Sequence, residues 1–100
     1  MNVDLTIRLV TNVLEQFRQQ PSSPKWDYRV VPEYRGVSVV YGTGLNIQQA
    51  IAVKDKGPTK VSFNIGIPDY NDNLDLARLV ASQLRQHGIE YFEPRHPFLN

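Results

Sequence analysis

The length, composition and charge of the chain limit its fold class more than its function. One hundred residues leave room for one domain with a two-layer core. A 41% apolar and 21% charged composition is typical of a globular protein, and a net charge of +1 argues against a general affinity for polyanions. The absence of cysteine excludes disulfides, thiolate nucleophiles and cysteine-ligated metals.

The sequence shows no pattern typical of membrane insertion or export. Its N-terminal residues lack the basic flank, apolar run and small-residue cleavage site of a signal peptide. No apolar run approaches the roughly 20 residues that span a bilayer. Together with the lack of cysteine, these features lead us to expect a cytoplasmic protein with no membrane partner.

Residues 3–20 predict a first helix. Asn2 or Asp4 can cap its start, and Pro21 and Pro24 end it. Its apolar stripe has spacings of three and four, and further apolar residues widen it on one side; we expect the protein's own core, rather than a partner chain, to take these up. The stripe consists of Val3, Ile7, Val10, Leu14 and Phe17, widened by Leu5, Leu9 and Val13.

Aromatic and β-branched residues predict strands in the segment that follows. One strand is expected at 26–31 and a second at 37–41, with a turn at 32–36 between them. Gly42-Thr43-Gly44 then predicts a tight reversal. Because it lacks the ending of a phosphate-binding loop, a hairpin is the better interpretation.

Residues 45–54 fit two structures. A strand is favoured because the segment follows the glycine reversal, and Gln49, falling among apolar residues, then indicates a bulge. The alternative is a helix that begins with a capping pair formed by Asn46 and Gln49. A link at 55–59 leads to a strand at 60–67, whose strict alternation makes it the expected centre of an antiparallel meander.

The second helix is capped by Asn71 or Asp72 in this interpretation, and its stripe is Leu76, Leu79, Val80 and Leu84. Gly88 followed by an apolar residue predicts its C-terminal cap. A last short strand is expected at 89–92, and residues 93–100 form an irregular tail because prolines interrupt them.

These elements predict an α+β fold in a single domain spanning residues 1–100. The expected architecture is a two-layer sandwich, with an antiparallel sheet of four to five strands and two helices on one face. The element order is α-β-β-β-β-α-β.

A polar cluster before the second helix partly matches a calcium-binding loop. Asp69, Asn71 and Asn73 occupy its first, third and fifth ligand positions. Position six, however, is Leu74 rather than glycine, and position twelve is Val80 rather than glutamate. Helix capping is therefore the better interpretation.

Catalytic, metal and cofactor sites have no supporting motif. His87 and His96 lack the spacing of metal ligands, and we expect His87 to contact the carbonyls at the end of the second helix. No serine lies in a Gly-x-Ser-x-Gly elbow. We therefore expect no catalytic residues, no metal, no cofactor and no enzymatic activity, although paired carboxylates could come from Glu33, Asp69, Asp72, Glu90 or Glu93.

The residues that could form a ligand or partner surface are Trp26, Tyr28, Tyr41, Ser62, Phe63 and Asn64. Small side chains opposite the helices would leave a flat sheet face, which favours a non-enzymatic interaction or assembly module that binds itself or another protein through that face or an edge. The alternative is a small-molecule-binding or small enzymatic domain whose aromatic residues line a pocket between sheet and helices. Basic residues near the aromatics could also bind nucleic acid, but the low net charge argues against it.

The order of the elements resembles that of small phage tail-completion and tail-terminator proteins. The resemblance covers most of the chain as a pattern, contains no diagnostic motif and assigns no residues. It implies a structural protein as a further alternative.

Overall fold

The element order agrees with the predicted one. A computed structural model describes residues 1–19, 27–67 and 69–91. Within them lie α1 (Val3–Arg18), β1 (Arg29–Glu33), β2 (Gly36–Tyr41), β3 (Gln48–Gly57), β4 (Lys60–Ile65), α2 (Tyr70–Gln86) and β5 (Glu90–Tyr91). The α+β class and the order α-β-β-β-β-α-β are confirmed, whereas the predicted tail at 93–100 lies outside the described residues.

The five strands form one sheet in the order in which they occur in the chain. β1 to β4 pair antiparallel, but β4 and β5 pair parallel, with Lys60 opposite Glu90 and Val61 opposite Tyr91. The helix α2 carries the chain back along the sheet before β5 begins, and such a crossover is what parallel pairing requires. The sheet is therefore mixed, and its central strand is β3; the prediction that residues 60–67 form the centre is wrong.

Both helices pack on the same face of the sheet. α1 lies against β1 and β2, α2 lies against β3, β4 and β5, and the two helices contact each other. Successive strand residues point to opposite faces, so every second residue joins this core. Its strand members include Val39, Tyr41, Ile51, Val53, Val61, Phe63 and Ile65.

The N-cap of α1 agrees with the prediction, but its buried stripe includes Leu9 and Val13 and leaves out Val3. Asn2 caps the helix, since its side chain accepts a hydrogen bond from the Leu5 N–H at 3.0 Å. Leu9 and Val13, which were expected to widen the stripe, are 5% and 2% exposed, so the protein's own core takes them up as expected. Val3, by contrast, is 38% exposed and lies at the first residue of the helix.

The ambiguous segment is a strand with a bulge from Gln48 onward, whereas residues 45–47 belong to the loop 42–47, which is longer than the predicted reversal at 42–44. Val39 pairs with Ile51 but Val40 pairs with Gln49, so Ala50 is an extra residue in β3. The bulge lets Ala50 and Ile51 both be buried. The strand and its bulge are thus confirmed and the helical alternative is wrong.

Two turns are shorter than predicted. β1 extends through Pro32 to Glu33, so the reversal before β2 has only Tyr34 and Arg35. β3 continues through 55–57, so the expected five-residue link shrinks to Pro58 and Thr59. The reason is the same in both cases: pairing with the next strand continues up to the reversal.

α2 begins earlier than predicted and ends as predicted. Its N-cap position is Asp69, in the left-handed region with φ 65°, so Asn71 and Asp72 lie inside the helix and the prediction that either caps it is wrong. Leu79, expected in the buried stripe, is partly exposed, and Ala77 and Ala81 are buried in its place. At the other end, Gly88 has φ 79° and Ile89 folds back, its N–H donating to the Leu84 carbonyl at 3.0 Å.

Candidate protein-interaction surface

The described aromatic residues of the predicted surface lie in the core. Tyr28, Tyr41 and Phe63 are buried. Tyr28 lies between Phe17 and Tyr41, with ring centroids 5.7 and 5.5 Å away. Trp26 lies outside the described residues. Because the three described rings pack against the protein itself, they are not available to stack on nucleic-acid bases, and an aromatic-lined pocket stays a prediction.

The hydroxyl group of Tyr28 is enclosed in this cluster. Among the described residues it has no hydrogen-bond partner. Burial raises the pKa of Tyr28 above its usual value of 10.0, and the negative charge of Asp72 adds to the effect, with smaller contributions from Tyr41, Asp69 and Asp27. The phenol is therefore held in its neutral form.

The residues that partly match a calcium-binding loop lie where β4 connects to α2; they are Asp69, Asn71 and Asn73. Tyr41 Oη donates to Asp69 Oδ2 at 3.2 Å, and Asn73 Nδ2 donates to the Gly66 carbonyl at 2.9 Å. Asn73 is fully buried, so its side chain serves the backbone of the turn. In the part of the chain that the structure describes, no three His, Cys, Asp or Glu side chains are placed to hold a metal ion.

His87 contacts the end of α2 as predicted. Its Nδ1 lies 3.1 Å from the Gln83 carbonyl oxygen. His96, the other histidine, lies outside the described residues.

Ser62 and Asn64, the polar residues of the predicted surface, lie on the sheet face opposite the helices, which we call the open face. They flank buried Phe63 in β4, so alternation along the strand separates them from the aromatic residues. The register places Asn64 in a row across four strands with Ala52, Ser38 and Val31. None of the described helices covers this row.

The centre of the open face is small and neutral. Ser38 and Ala52 are 0% and 1% exposed, whereas Val31 is 37% exposed and Asn64 is exposed. Gln49 lies across this centre and donates from Nε2 to Ser38 Oγ at 2.8 Å. The accessible part of the face is therefore formed by the side chains around Ser38 and Ala52.

Charged residues lie at the two ends of β1 on the open face. Arg29 donates to the Gly42 carbonyl at 2.9 Å, at the end of the sheet near the β2–β3 loop. Glu33 lies at the opposite end, with its Oε2 3.5 Å from Lys54 Nζ. The neutral row thus lies between Arg29 at one end of β1 and the Glu33–Lys54 ion pair at the other.

Neither edge of the described sheet is well suited to pair with another strand. β1 contains Pro32, which has no N–H to offer. β5 is only two residues long, and its Tyr91 ring stacks on Phe63 with centroids 5.8 Å apart. Arg85 donates to the Tyr91 hydroxyl at 2.6 Å and holds this short strand from the other side. Prolines and short strands are features that prevent edge-to-edge pairing.

Three exposed apolar side chains, which sequence reasoning did not single out, lie near the end of the sheet where the β2–β3 loop meets the end of β4. Leu45 is fully exposed, and Ile47 and Ile67 are 51% and 40% exposed. A hydrogen bond from the Gly66 N–H to the Ala50 carbonyl, 2.8 Å long, joins the end of β4 to β3 here. The sequence feature that could have indicated this patch is the pair Leu45 and Ile47, two large apolar residues in a loop that begins with glycines.

At the other end of the sheet, Asp55 organises the turn between β3 and β4. The Gly57 N–H donates to Asp55 Oδ1 at 2.9 Å, and the Met1 amino group lies 3.3 Å from the same oxygen. The hydrogen bond from Gly57, followed by that from the amino group, lowers the pKa of Asp55. The arrangement resembles a structural turn rather than a catalytic carboxylate pair.

Neither helix in the described residues is long and apolar enough to cross a membrane. Comparison of the chain with protein-family models, with curated proteins and with solved structures found no match.

Proposed function

We propose that the chain is a non-enzymatic assembly module that associates with a second copy of itself through the open face. The observation that carries the proposal is the row Val31, Ser38, Ala52 and Asn64, on the side of the sheet that neither described helix covers. The row itself carries no charge, although Arg29, Glu33 and Lys54 flank it on the same face. A neutral row can approach a second sheet without leaving a charge buried and unpaired at its centre.

The face is a better candidate than the edges of the sheet. Pro32 removes a donor from β1, and β5 offers only two residues. Pairing of a further strand along either described edge would therefore form few hydrogen bonds. Face-to-face packing requires no free backbone groups, since two sheets pack through their side chains about 10 Å apart.

The size of the face predicts weak association. Four strands spaced about 4.8 Å apart, each contributing about six residues, cover roughly 20 by 20 Å. Such a contact buries about 800 Å² in total, below the roughly 1,000 Å² of a stable interface, and is therefore expected to be transient. We therefore expect a dissociation constant in the micromolar range, and measurements should extend to about 1 mM protein.

The experiment compares substitutions on the two sides of the sheet. Asn64→Arg places a bulky charge in the central row, and Asn71→Arg places the same side chain on exposed helix surface as a matched control. In sedimentation equilibrium, the wild type and the control should dimerise and Asn64→Arg should remain monomeric, with all three folded by circular dichroism. A monomeric wild type at the highest concentration, or an Asn64→Arg variant that dimerises normally, would overturn the proposal.

A further inference from the structure

Two hairpin turns and Met1 form an open cleft at the end of the sheet that lies away from the β2–β3 loop. The cleft has a volume of about 500 Å³, and its lining consists of Met1, Arg35, Asp55, Lys56, Gly57 and Pro58. The Asp55 N–H donates to the Arg35 carbonyl at 2.8 Å, which joins the β1–β2 turn to the end of β3. The backbone therefore holds Arg35 and Lys56 beside the same cleft.

The two cationic side chains of the lining are available to a ligand. Arg35 and Lys56 are exposed, and within residues 1–19, 27–67 and 69–91 neither side chain forms a hydrogen bond or an ion pair. The Arg35 guanidinium lies over the ring of Tyr34, 5.5 Å from its centroid. This contact favours one position of the guanidinium group without using its N–H donors.

Asp55, the carboxylate in the lining, is already bonded within the protein. Its Oδ1 accepts a hydrogen bond from the Gly57 N–H at 2.9 Å and lies 3.3 Å from the Met1 amino group. Glu33, near the neighbouring turn, has Lys54 as its partner at 3.5 Å. The positive charges of Arg35 and Lys56 are therefore not balanced by these carboxylates.

The described chain leads away from the cleft at each point where the description stops. α1 starts beside the cleft and ends near Tyr28, whose carbonyl accepts a hydrogen bond from Arg18, so residues 19 and 27 lie at the opposite end of the sheet. Residues 67 and 69 follow β4 and lie at that same end. β5 runs parallel to β4, and its direction is therefore away from the turn at 58–59.

We propose that this cleft binds the phosphate group of a small molecule, with Arg35 and Lys56 donating to the phosphate oxygens. A phosphate monoester carries a charge of about −1.5 to −2 near neutral pH, which matches two cations, whereas a single carboxylate matches one. A guanidinium group offers paired donors that fit phosphate geometry, and a lysine adds a point charge. The volume lies within the usual range for small-molecule sites. The cleft is at an end of the sheet rather than on the open face, so the inference is independent of the proposed self-association.

The binding is measured by NMR titration of the untagged, ¹⁵N-labelled protein with ribose 5-phosphate at constant ionic strength. Because both cations are exposed, we expect a dissociation constant in the millimolar range. The amide signals of Arg35, Lys56 and Gly57 should shift and saturate, and neutral ribose should leave them unchanged. Titration with inorganic phosphate distinguishes the source of the group: tighter binding of ribose 5-phosphate indicates an ester as the ligand, and equal affinity indicates free phosphate.

Loss of either cation should weaken this binding. Arg35→Gln and Lys56→Gln should each raise the dissociation constant about threefold to fivefold, and the double variant should raise it roughly tenfold or more. Arg78→Gln removes the same charge from the exposed surface of α2 and is the matched control, which should bind as the wild type does. Circular dichroism checks that all variants are folded.

Three results would overturn the proposal. They are the absence of saturable shifts in the wild type, shifts confined to residues outside the cleft, and a loss of affinity in Arg78→Gln as large as that in Arg35→Gln, which would show a general effect of net charge. None of them bears on self-association through the open face, which is measured separately by sedimentation equilibrium.

Discussion

The rings of Tyr28 and Tyr41 meet edge to face, with 5.5 Å between their centroids and 81° between their planes. Their hydroxyl groups differ, since Tyr41 Oη donates to Asp69 whereas Tyr28 Oη has no partner among the described residues. Removing the hydroxyl oxygen should therefore change the stability of the fold in opposite directions at the two tyrosines.

Tyr28→Phe should stabilise the fold by up to about 1 kcal/mol, because it removes a buried polar group that makes no hydrogen bond. Tyr41→Phe should cost about 1 kcal/mol, because it removes the donor to Asp69. For a domain of this size each change corresponds to about 4–8 °C in Tm, measurable by calorimetry. Equal losses of stability in both variants would show that the Tyr28 hydroxyl is satisfied.

Alkaline pH should destabilise the protein through Tyr28. Its pKa is raised in the folded state, so folding favours the protonated phenol, and the unfolded chain ionises near pH 10. The corresponding stability is complete below pH 10 and is lost as the pH rises above it. Urea unfolding at pH 8 and pH 11 should show a smaller decrease for Tyr28→Phe than for the wild type. The same decrease in both proteins would contradict the prediction.

Asn73→Leu should destabilise the protein by about 1–3 kcal/mol, because it keeps much of the side-chain volume but removes the hydrogen bond to the buried Gly66 carbonyl. Asn71→Leu, in the same turn of α2 but exposed, should change stability by less than about 0.5 kcal/mol. Chemical denaturation of both variants checks the contrast. Comparable effects at the two positions would mean that the Asn73 bond does not hold the turn.

Local patterns were sufficient to predict most elements of the fold. Gly88 and Ile89 indicated the end of α2 because a left-handed glycine followed by an apolar residue is a local backbone arrangement. Gln49 indicated the bulge because one polar residue interrupted the apolar alternation. In both cases the physical cause lies within a few residues of the signal.

The remaining features depend on contacts distant in sequence. Asp69 precedes α2 in a left-handed conformation that asparagine or aspartate tolerates but glycine normally adopts, and its side chain bonds Tyr41 on β2. The parallel pairing of β5 depends on the path of α2 over the sheet. Such tertiary interactions leave no periodic signal in the chain.

The candidate surface was predictable only in part. Alternation along β4 was enough to place Ser62 and Asn64 on one face and Phe63 on the other. The sequence could not show that Arg29 and Glu33 lie on the same face, because this follows only from the register of β1 against β2.

The parallel pair at the end of the sheet has a consequence for folding. β1 to β4 are joined by short reversals, so their contacts can form early and locally, whereas β5 must wait until all of α2 has been synthesised and has docked. Until then β4 is an edge strand, with Val61, Phe63 and Ile65 exposed on one side. A chain that ends at β4 lacks the helix that covers Val61, Phe63 and Ile65, and we therefore expect it to aggregate more readily than a chain that includes α2 and β5.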